Sequence, residues 1–146
     1  MANTLERIVS VTLERAGEGE LFFKTWAPHV SDAEDRALFA HLAATERGRV
    51  EMLSRMSPAE LVGKGQAAPE ADELAPWLKA RTAPKTLVLR DALRLAVERK
   101  ERSALLFDWV AGLRGEAASF FEAMAAEDRG AAFALRDCAE RLGPNT

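Results

Sequence analysis

The sequence is poor in several features, and each shortage closes a class of explanation. It holds one cysteine, Cys138, which excludes an internal disulfide and a cysteine-rich zinc site. Its only histidines are His29 and His41. Runs of Val, Ile and Thr typical of strands are scarce. No stretch approaches the ~18 apolar residues of a membrane span, so no membrane partner is expected. Residues 1–10 lack a basic region followed by a long apolar run, so no signal peptide is expected. The simplest setting is then a reducing compartment, the cytoplasm. The formal net charge is -3 and no basic block stands out, so nucleic acid is not an expected partner.

What is present is helical periodicity in a chain whose 146 residues suit one domain. With 48% hydrophobic and 29% charged residues, it can fill a core and solvate its outside. The spacing predicts a first helix over 3–26, with Leu5, Ile8, Thr12, Ala16, Gly19, Phe23 and Trp26 on one stripe and Pro28 beyond its end. A second is predicted over 31–55, with Ser31 as N-cap and Glu34 three residues on, the form of a capping box. Pro58, Gly63, Gly65, Pro69, Pro76 and Pro84 rule out one continuous helix over 57–84. Ser57-Pro58 reads as the start of a short helix, and residues 72–79 as another turn or two around Trp77. A third long helix is predicted over 85–113 and a fourth over 116–142, stopped by Gly143-Pro144. The expected architecture is all-α: two antiparallel hairpins, 3–56 and 85–142, joined by a long crossover, 57–84, in one four-helix bundle.

The two predicted hairpins resemble each other. Leu13-Glu14-Arg15 falls on Val97-Glu98-Arg99 at an offset of 84, which places Phe23 on Phe107. Phe39 falls on Phe121 at an offset of 82, and Ala43-Ala44-Thr45-Glu46-Arg47-Gly48 on Ala125-Ala126-Glu127-Asp128-Arg129-Gly130. The change of two residues falls in the hairpin loops, where length varies cheaply. Order and spacing imply an internal duplication.

In these residues all four long helices resemble the two halves of a rubrerythrin-type ferritin-like protein. That family has, in each half, a glutamate seven residues before an aromatic on the first helix and Glu-x-x-His on the second. The resemblance implies a ferritin-like bundle, a homodimer, and four carboxylates and two imidazoles around two iron ions. Residue by residue the ligands are mostly replaced. Seven residues before Phe23 stands Ala16, and seven before Phe107 stands Lys100. The two Glu-x-x-His motifs become Glu46-Arg47-Gly48-Arg49 and Asp128-Arg129-Gly130-Ala131. His29 falls in a loop and His41 off the inward stripe. Glu18 and Glu20 also fall off the stripe, so they do not replace Ala16.

Lys100 and Arg49 are expected to pair with Glu46 and Asp128, where metal once linked carboxylates across helices. Six vestigial positions follow: Ala16, Glu46, Arg49, Lys100, Asp128 and Ala131. No catalytic residue and no cofactor is expected. Three functions remain open: a non-catalytic binding or interaction domain, a binder of a small anion or metabolite, and a retained iron-dependent oxidoreductase or peroxidase. Gly19, opposite Ser103 in the repeat, is expected to let the first and third helices approach. Cys138 reads as a small buried hydrophobe. Trp77 and Trp109 suggest either a contact between crossover and third helix or part of a dimer patch.

Overall fold

Asn3 begins the regular structure: its side chain accepts a 2.8 Å hydrogen bond from the Glu6 amide, capping helix α1, Thr4–Trp26. The computed structural model describes residues 3–78 and 88–142, and every helix or strand element among them is helical. The other long helices are α2, Ala33–Ser54, α4, Leu89–Ala111, and α5, Ala118–Glu140; α3, Ala71–Leu78, is short. None of the described helices is long and apolar enough to cross a membrane. The chain divides into two compact units, Met1–Lys79 and Ala80–Thr146.

In the first unit, α1 buries Ile8, Thr12, Ala16 and Phe23. Thr12 satisfies its hydroxyl by donating to the Val9 carbonyl at 2.9 Å. A single 3-10 turn, Ala27–His29, carries Pro28 and reverses the chain. α2 then buries Phe39, Leu42, Ala43, Glu46, Arg49 and Leu53. The rings of Phe23 and Phe39 meet edge to face with centroids 5.5 Å apart, an arrangement that suits the aromatic quadrupole. α2 starts one residue later than the sequence suggests. Asp32, not Ser31, is its N-cap: the Asp32 carbonyl accepts the first helical bond, from Arg36, and its carboxylate accepts a 3.4 Å bond from the Glu34 amide. The shift destroys the Ser31/Glu34 spacing a capping box needs. Arg36 instead reaches back to the carbonyls of Val30 and Ser31.

The expected start at Ser57-Pro58 is a 3-10 turn, Pro58–Leu61. That turn and α3 both lie against α1. Leu61 and Leu74 are buried there, and Arg15 donates to the Trp77 carbonyl at 2.9 Å. Gly65 takes the positive φ of 80° in the intervening loop, which suits glycine.

The second unit is the α4–α5 hairpin. Phe107 and Phe121 meet at 5.8 Å, the same pair of repeat positions as Phe23 and Phe39. Arg90 donates to the Leu142 carbonyl at 2.8 Å, tying the start of α4 to the end of α5. In the connection the positive φ, 58°, falls on Arg114 and not on the flanking glycines Gly112 and Gly115. The expected first residues of the third helix, 85–87, and the Gly143-Pro144 stop lie outside the described residues.

Candidate functional site

All six positions singled out in the sequence are buried: Ala16, Glu46, Arg49, Lys100, Asp128 and Ala131 are between 0% and 8% exposed. Four of them are ionisable, which is unusual in a core because moving charge out of water is costly. The periodicity that buries them is the same one that buries Phe39 and Phe121, about two turns before Glu46 and Asp128.

In the first hairpin, Arg49 Nη1 lies 2.6 Å from Glu46 Oε1. Both residues are on α2 at i, i+3, so one helical face carries the whole pair. Ala16, on α1, stands where the resemblance expects a glutamate. Gly19 makes the room: a Cβ there would come within 2.8 Å of Glu46 Oε2. Within this hairpin its close approach is to the Glu46 side chain of α2. Glu20 points to other work and pairs with Lys24 at 2.7 Å.

In the second hairpin the pair crosses between helices. Lys100 Nζ, from α4, lies 3.1 Å from Asp128 Oδ1, from α5. Ala131 stands where the resemblance expects a histidine. Each hairpin thus buries one acid, one base and one alanine at these three positions. The base sits at the histidine position in the first hairpin and at the first-helix glutamate position in the second. The alanine takes the other place each time. Formal charge cancels within each buried pair.

This donor set does not suit a metal ion. One carboxylate per hairpin, already facing a cation, supplies too few negative oxygens for ferrous or ferric ions. Alanine supplies no donor, and the nearby ammonium or guanidinium repels a cation. Among the described residues no three His, Cys, Asp or Glu side chains come together as a metal-binding group. His29 and His41 are both exposed; His29 packs against Trp26 at 5.4 Å. Cys138 is fully buried on α5.

What the sequence reading missed is the cradle at Gly19. A signal was available, since Gly19 follows Ala16 by three residues on the stripe facing α2. Compared with known proteins, the chain matches no family model, no curated protein and no solved structure.

Proposed function

We propose that the chain is a ferritin-like protein of rubrerythrin type that has lost its diiron centre and works as a non-catalytic binding or interaction domain. On this reading duplicated hairpins form a four-helix bundle in one cytoplasmic domain, and the former ligand positions hold charge pairs. The observation that supports it most is the buried Lys100–Asp128 pair, in which an ammonium occupies the place the resemblance gives to a ligand glutamate. The Glu46–Arg49 pair supports the same reading in the other hairpin. Neither buried pair includes a Ser, Cys or His that could act as a nucleophile or base with its acid.

A small-anion binder would need Arg49 and Lys100 as donors. Both already face a carboxylate at bonding distance, so this alternative ranks second. A diiron oxidoreductase ranks third, for want of ligands. Metal analysis of protein purified without chelators separates the first reading from the third. The expected result is iron and manganese far below stoichiometric. Stoichiometric metal that disappears in Glu46→Ala would overturn the proposal.

A further inference from the structure

Glycine is confined to one level of the long helices. There are four such residues: Gly17 and Gly19 on α1, Gly48 on α2 and Gly130 on α5; α4 has none. Each lies within three residues of a buried core position. Gly17 and Gly19 follow Ala16, Gly48 lies between Glu46 and Arg49, and Gly130 lies between Asp128 and Ala131. Gly19 is accounted for by its contact with Glu46. The other three are exposed, and a Cβ added at any of them would meet nothing within 4 Å. None of them has a positive φ. Neither packing nor backbone geometry asks for glycine there, although only proline is a poorer helix former.

Such a glycine lowers the cost of opening its own turn. Helices open locally without global unfolding, most readily where propensity and apolar packing are weakest. Both are weak at this level. The turn of α2 around Gly48 holds the Glu46–Arg49 pair in place of apolar side chains. The turn of α5 around Gly130 holds Asp128, paired with Lys100, and Ala131, whose small side chain anchors little. Charge is costly to keep out of water, so an opening that wets these groups recovers hydration that an apolar turn would not.

We infer that these two turns are solvent gates: the helix opens locally at Gly48 and at Gly130 and admits water to the ion pair buried beside it. Gly17 loosens the neighbouring turn of α1 in the same way. The inference goes beyond the proposed function and does not depend on it, since it uses only the glycines and the pairs. Metal analysis leaves it untouched.

Native-state hydrogen exchange of the full chain in low denaturant provides the test. The amides of residues 45–49 and 127–131 are expected to exchange faster, and with less dependence on denaturant, than those of 38–43 and 122–125 on the same helices. In Gly48→Ala, exchange at 45–49 and at the buried Arg49 Nε proton is expected to slow by about fivefold, the Boltzmann factor of the glycine penalty. Residues 127–131 stay unchanged in that variant, and Gly130→Ala gives the converse. Both positions are exposed, and circular dichroism verifies that each variant is folded. Amides at 45–49 and 127–131 that exchange only with the global unfolding transition overturn the inference. So does a slowing spread evenly over both hairpins, or an Arg49 Nε proton indifferent to Gly48→Ala.

Discussion

Four helix-interior glycines show how differently one residue type can be used. Glycine in a helix costs ~1 kcal/mol against alanine, so a retained glycine invites a packing explanation. Gly19 has one: an added Cβ would lie 2.8 Å from Glu46 Oε2 and 3.1 Å from its Cδ. The carboxylate could swing aside only by leaving Arg49, to which it is bonded in a buried place. Gly17, Gly48 and Gly130 have nothing within 4 Å of such an atom, and packing does not explain them. Gly48→Ala and Gly130→Ala are therefore expected to raise stability by ~0.5–1 kcal/mol. Gly19→Ala is expected to lower it, because overpacking at ~1–3 kcal/mol outweighs the ~1 kcal/mol gained in helix propensity. Chemical denaturation of the three variants checks the difference in sign. Gly48 and Gly130 are a repeat feature of the sequence; only Gly19 is explained by the core.

The elements follow from local chemistry more closely at some ends than at others. Asn3 holds the Glu6 amide at 2.8 Å, whereas Asp32 holds the Glu34 amide at 3.4 Å. Removing a side-chain cap costs ~1 kcal/mol. Asn3→Ala is expected to lose about that much, Asp32→Ala less and Ser31→Ala almost nothing. Urea melts of these variants test the order, and a large loss for Ser31→Ala would restore the capping box. The long helices were legible because their apolar spacing runs for six turns and Pro28 and Pro58 punctuate it. The starting residue of α2 was not, because Ser31 and Asp32 are both good caps and Arg36 bonds back to the carbonyls of Val30 and Ser31, just before the helix. The six core positions were legible through the same periodicity and the repeat. That the two bases pair with the two acids was legible too, but which acid each base meets was not. Whether Arg49 meets an acid on its own helix or another depends on side-chain rotamers, and whether Lys100 reaches Asp128 depends on the stagger of α4 against α5.

In both hairpins one arrangement recurs: a pair of facing phenylalanines and, at the aligned core positions, one buried acid with one buried base. A buried ion pair adds little net stability compared with apolar packing, yet losing one member strands the other in a poor solvent. Fold stability therefore rests on side-chain charge balance and should not depend on an inorganic ion. The Lys100–Asp128 pair is the better subject for measurement, since it bridges two helices and its acid is fully buried. Lys100→Ala, Asp128→Ala and the double variant, unfolded by denaturant, form a complete cycle. Each single change is expected to cost ~3–5 kcal/mol, and the double change clearly less than the two together, because no charge is then left alone. A near-zero cost for Lys100→Ala, or costs that simply add, would contradict the claim that the two charges neutralise each other in the core.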